Sequence, residues 1–173
     1  MPLSLSHKTA VVSVMAAAVV IFMFFMPIKS TPVVFGDNIT CKLPSTFSLK
    51  WQHSVEKQYW QEVYQLDFPK LILTKAYLQT FGAGTPSTGK PTLAPKGYLG
   101  KRLDIPVETL NWLVSTNMQG EILLGDAIQS TPNVLPIHQI VSNQSTVVIK
   151  PIRLTVWQSV QIDSCQTFSH QPS

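Results

Sequence analysis

The sequence predicts an all-β fold, a small antiparallel β sandwich or barrel, preceded by one N-terminal transmembrane helix. Three observations carry that expectation. Only 13% of the residues are charged while the chain holds 13 Pro and 8 Gly, a composition of turns rather than of helical surface. Beyond the N-terminal region, apolar residues recur with period two in short runs, the spacing of half-buried strands. Ala10 to Met26, finally, runs without a charge and is interrupted by Ser13 alone.

That apolar run exceeds the core of a cleaved signal, about 7 to 15 residues, and reaches the lower edge of a spanning helix, about 17 to 25. Pro27 and Ile28 would bring it nearer to spanning length. Two readings fit it: an uncleaved anchor over residues 1–29, or a signal cleaved near Val34-Phe35-Gly36. Both export the downstream domain. A length of 173 residues leaves room for one such segment and one domain. The formal charge of +4 includes Lys8 and Lys29 at the two ends of the apolar run; without them 11 Lys and Arg face 9 Asp and Glu. This mild balance is no electrostatic footprint for nucleic acid.

Residues 30–44 are rich in Pro and polar side chains and read as a linker. Cys41 closes it, and Cys165 comes after the last apolar pattern, so the pair brackets a domain over 45–165, with a tail over 166–173. An even cysteine count in an exported chain predicts a disulfide, with two free thiols as the alternative. No second Cys or His stands at ligand spacing, so no metal site and no cofactor are expected.

Within the domain, Phe47, Leu49 and Trp51 alternate with polar residues, as do Trp60, Tyr64 and Leu66, giving two strands of a hairpin that folds back around Ser54 to Gln58. Leu71 to Phe81 reads as a third strand. Gly82 to Gly100 carries five Gly and three Pro and exceeds ordinary connection length, which marks it as functional or mobile. Further strands are expected at 102–105, 110–116, 121–124, 139–142, 146–150 and 152–162, with a hairpin turn at Gln119-Gly120 and a short helix over 107–113.

The hairpin carries the candidate chemistry. His53 continues the face of Leu49 and Trp51, and Glu62 shares the face of Trp60, Tyr64 and Leu66, so pairing would set an imidazole and a carboxylate on one apolar side. Such a pair is either a polar site in an apolar wall, with Ser54 and Glu56 at the hairpin end, or a structural closure of the core. A hydrolase triad is not expected: Ser54 and His53 are adjacent and point to opposite faces, and no Gly-x-Ser-x-Gly elbow occurs. His138, among apolar residues, reads as packing.

Trp51-Gln-His-Ser-Val-Glu-Lys57, Trp60-Gln-Glu62, Phe81-Gly-Ala-Gly-Thr-Pro86 and Leu110-Asn-Trp112-Leu-Val114, in that order, resemble the successive motifs of a bacterial family of unknown function, DUF1850. The resemblance covers most of 49–162. Its motif positions fall on His53, Ser54, Glu56, Glu62, Phe81, Gly82 and Gly84, and it brings no catalytic residues. What it implies is a small protein at the bacterial inner membrane, single-pass with its domain in the periplasm, or secreted there after signal cleavage. By the same resemblance it would be a non-catalytic accessory to a TAXI-type tripartite (TRAP) solute transporter, contacting the membrane subunits or the solute receptor. The competing expectation is a small ligand-binding domain or enzyme using His53 and Glu62. Gly82 and Gly84 would let the long loop fold over the His53 end of the hairpin.

Overall fold

A computed structural model describes residues 5–82, 85–125 and 133–170. Among the described residues eleven strands form two open antiparallel sheets, so the expected β class holds and the barrel alternative does not. In chain order the strands are β1 (Pro27–Phe35), β2 (Thr40–Lys42), β3 (Thr46–Gln52), β4 (Tyr59–Asp67), β5 (Lys70–Leu78), β6 (Lys90–Thr92), β7 (Leu99–Val107), β8 (Leu110–Val114), β9 (Glu121–Leu124), β10 (Asn133–Leu135) and β11 (Ser145–Thr155). The smaller sheet has the order β2-β1-β11-β8 and the larger β10-β9-β3-β4-β5-β7-β6. One core lies between them. Val34, Val114, Val147 and Ile149 come to it from the smaller sheet, and Phe47, Leu49, Tyr64, Leu71 and Ile122 from the larger.

Several expectations need correction. Residues 30–44 are no linker: β1 lies between β11 and β2, and its Val33 and Val34 are completely buried. The N-terminal helix α1 (Leu5–Phe25) does not continue through Pro27 and Ile28. A proline disfavours helical geometry in the residue before it, so the chain turns at Met26 and enters β1 directly. Among the described residues no helix is long and apolar enough to cross a membrane.

The long strand expected over 152–162 ends at Thr155, where α3 (Val156–Gln161) begins. Thr155 and Gln158 form a reciprocal capping box, in which Thr155 Oγ1 accepts from the Gln158 amide and Gln158 Oε1 accepts from the Thr155 amide. That local signature outweighs the alternation, because it satisfies amides a helix start leaves open. Residues 139–142 likewise fall partly in a short helix, α2 (Ile137–Ile140), and 107–113 fall in β7 and β8 rather than in a helix. Gln119-Gly120 does not close a hairpin. A 3-10 turn over Thr116–Met118, followed by Gln119 in the left-handed region, passes the chain from β8 in one sheet to β9 in the other.

Cys41 on β2 and Cys165 are joined, with their Cα atoms 5.0 Å apart and 124 positions between them in sequence. Closing so long a loop restricts the unfolded chain by about 5 kcal/mol in the chain-entropy account.

Candidate functional site

The β3–β4 hairpin forms as its alternation predicts, with Phe47 opposite Tyr64, Leu49 opposite Glu62 and Trp51 opposite Trp60. Its register separates the two residues expected to pair. His53 lies beyond the strand end, where its amide donates to the Gln58 carbonyl, while Glu62 faces Leu49, four positions back along β3. At strand rise this is about 13 Å. The Trp51–Trp60 pair, with centroids 6.2 Å apart, stands between them. The hairpin therefore offers two environments instead of one His–Glu site.

The first environment is the hairpin tip. His53 stacks on Trp60 at 5.0 Å, and its Nδ1 lies 3.4 Å from the Glu56 amide that donates to it. Lys57 takes a left-handed φ of 57°, and its amide returns to the His53 carbonyl. Ser54 is exposed and its hydroxyl makes no hydrogen bond among the described residues. Glu56 instead meets the second family motif. A Cβ built on Gly82 would lie 1.8 Å from Glu56 Oε1, so the carboxylate occupies the space that glycine leaves. Beside it, the Gly82 amide donates to Thr85 Oγ1 at 2.9 Å and the Thr85 amide to the Gly82 carbonyl. Glu56 of the first motif and Gly82 with Thr85 of the second are thus two halves of one clamp. Phe81 is exposed, with the Lys101 ammonium 5.6 Å from its ring centre. Gly84 lies outside the described residues.

The second environment is a cleft of about 440 Å³ in which Glu62 and Tyr64 of β4 face Leu49, Trp51, Leu110, Trp112 and Met118. It lies where the larger sheet meets β8 of the smaller one. Trp51 and Trp112 meet edge to face at 6.2 Å. Trp112 is seated on Gly120, where an added Cβ would come within 3.0 Å of the indole. The Gly120 carbonyl in turn accepts from the His138 amide and lies 2.8 Å from His138 Nδ1, so His138 serves this turn.

Tyr64 Oη donates to Glu62 Oε2 at 2.5 Å. Burial pushes the Glu62 carboxyl above its ordinary range, and the Tyr64 hydrogen bond opposes that rise without cancelling it. Burial, then the Glu62 charge and the shared hydrogen bond, push the Tyr64 phenol up as well, so it stays a donor. Among the described residues Glu62 has no ion-pair partner, and no group of three or more His, Cys, Asp or Glu is placed to hold a metal. Sequence reading singles out Glu62 but gives it the wrong partner. The nearer one, two positions along the same strand face, is Tyr64; Leu110-Asn-Trp112 stands out in the sequence only as a motif.

No curated protein and no solved structure matches this chain. Residues 47–129 match the family model of a domain of unknown function, DUF1850, a segment that contains the hairpin, the Gly82 turn and every residue lining the cleft. By that match the chain belongs to the DUF1850 family.

Proposed function

We propose that this protein is a non-catalytic interaction module, held at the bacterial inner membrane by α1 with its β domain in the periplasm, and accessory to a TAXI-type TRAP transporter. The observation that carries the membrane attachment is the surface of α1. Val11, Val12, Val14, Met15, Val19, Val20, Ile21, Phe22, Met23 and Phe25 are all more than half exposed, so from Val11 onward the helix presents apolar side chains that the domain leaves largely uncovered. Apolar surface of that extent is stable when lipid or another protein covers it.

The junction supports the same reading. Trp157 of α3 packs beside Ile21, Phe24 and Phe25, and Val160 on the same short helix is exposed. Lys29 and Arg153 flank Pro27 at that end. An aromatic ring and cations beside the end of an apolar helix suit a headgroup layer. Retention of the segment fits β1 as well, since cleavage near Val34-Phe35-Gly36 would remove a strand whose Val33 and Val34 are fully buried. The transporter as partner rests on the family resemblance.

In-cell crosslinking of the full chain, followed by detergent extraction and affinity capture, tests the proposal. The expected result is recovery in the membrane fraction together with the permease subunits or the solute receptor. Recovery in the soluble fraction, or a clean absence of both transporter components from the crosslinked material, would contradict it.

A further inference from the structure

We propose that the cleft between the larger sheet and β8 is a binding site for a small organic cation, a substituted ammonium, with Glu62 as its counter-charge and Trp51, Trp112 and Tyr64 as its walls. This stands apart from the accessory role and does not depend on it. The volume, about 440 Å³, falls within the range of small-ligand sites.

The argument begins with an unbalanced charge. Among the described residues lining the cleft, Glu62 is the one carboxylate and there is no Lys, Arg or His. Tyr64 satisfies Oε2, while Oε1 accepts no hydrogen bond from the described residues. A partly buried carboxylate with one oxygen open to the cleft attracts a cation and repels an anion. A neutral ligand would leave the charge uncompensated.

The walls select the kind of cation. Indole and phenol rings attract positive charge over their faces, and Leu49, Leu110 and Met118 complete an apolar lining. Alkyl groups on nitrogen suit such a surface, whereas a hydrated metal ion needs several oxygen donors. Beyond Glu62 and Tyr64, Asn111 is the other polar side chain in the lining. Substituted ammonium groups meet both requirements, one positive charge and an apolar shell.

Protons compete for the same carboxylate. Burial raises Glu62, so this competition sets in above the ordinary carboxylate range. Among the described residues lining the cleft, Tyr64 is the other titratable group; β3, β8 and the Met118 turn contribute none. Binding is therefore strongest above the raised Glu62 value and is lost as pH falls through it.

The test is calorimetry and tryptophan fluorescence on the full chain in an uncharged maltoside detergent. The probes are choline, trimethylammonium and butylammonium, each beside the neutral isostere in which carbon replaces nitrogen. At least one cation is expected to bind about tenfold more tightly than its isostere, and Glu62→Gln to bring it down to the isostere's level. Trp112→Leu is expected to weaken the same cation about fivefold or more, a second readout that does not require the Glu62 variant to fold. The proposal is overturned if all three cations bind no better than their isosteres. It is equally overturned if a folded Glu62→Gln protein retains cation affinity within about twofold.

Discussion

At the tip of the β3–β4 hairpin, His53 and Glu56 are engaged by the turn itself, while Ser54 stays exposed. His53 lies on Trp60 and accepts from the Glu56 amide, and the Glu56 carboxylate fills the space at Gly82. Farther along the same hairpin, beyond the Trp51–Trp60 pair, Glu62 has one donor among the described residues and a second oxygen open to an aromatic cleft. Both regions carry family motif positions on one strand pair, yet one is closed upon itself and the other has capacity left over. The difference teaches that a motif residue's neighbours across the sheet decide whether it clamps a turn or is free to bind. Here one cross-strand aromatic pair, Trp51 and Trp60, separates those roles.

The comparison can first be broken at its shared foundation. Replacing Cys41 and Cys165 together by Ser should cost about 4 to 5 kcal/mol by denaturant unfolding. The loss should appear equally in probes of tip and cleft, because the bond closes the whole domain across 124 positions. A loss confined to one region would show that the two do not share a framework.

At the tip, Gly82→Ala should cost about 1 to 3 kcal/mol, since its new methyl group collides with the Glu56 carboxylate. In a Glu56→Ala background the same change should cost under about 0.5 kcal/mol, a coupling that a double-mutant cycle reads directly. Equal costs in both backgrounds would remove the clamp from the account.

At the cleft the expected effect is a pH dependence. Folding raises the Glu62 pKa above its unfolded value, so the folded state holds the proton more tightly. Stability from this group is full below the unfolded carboxylate value and declines as pH rises through the raised folded value. Glu62→Gln should flatten that decline. Asp37 gives the opposite sign: hydrogen bonding from the Ser142 side chain, and then from the Ser142 amide at 3.0 Å, holds its pKa below the ordinary value. Stability from Asp37 is present above the unfolded value and lost as pH falls, and Asp37→Asn should remove that acid-side loss. The smallest effect at the tip is His53→Ala, about 0.5 to 1.5 kcal/mol from its stacking on Trp60.

Much of this architecture is legible from alternation. Phe47-x-Leu49-x-Trp51 and the run from Trp60 to Leu66 mark the hairpin because side chains alternate across a strand regardless of what covers them. Period two cannot give the partner of Glu62. The face is readable, but position along it depends on register, and register places Leu49, not His53, opposite Glu62. Residues 30–44 look like a linker because Pro32, Ser30 and Thr31 break the alternating apolar pattern; pairing of β1 with both β11 and β2 overrides that local preference. The reverse happens at Thr155, where a run of strand-like residues yields to a capping box visible as Thr-x-x-Gln. The Gly82 clamp is half legible, for the glycine is evident and the carboxylate it accommodates is not.

The most direct test of the division between tip and cleft is a side-by-side titration of the tightest-binding ammonium probe into wild type, His53→Ala and Glu62→Gln, each confirmed folded by its thermal transition. The account predicts that Glu62→Gln loses about tenfold or more in affinity while His53→Ala stays within about twofold of wild type. A cation affinity that survives in Glu62→Gln and collapses in His53→Ala would contradict it.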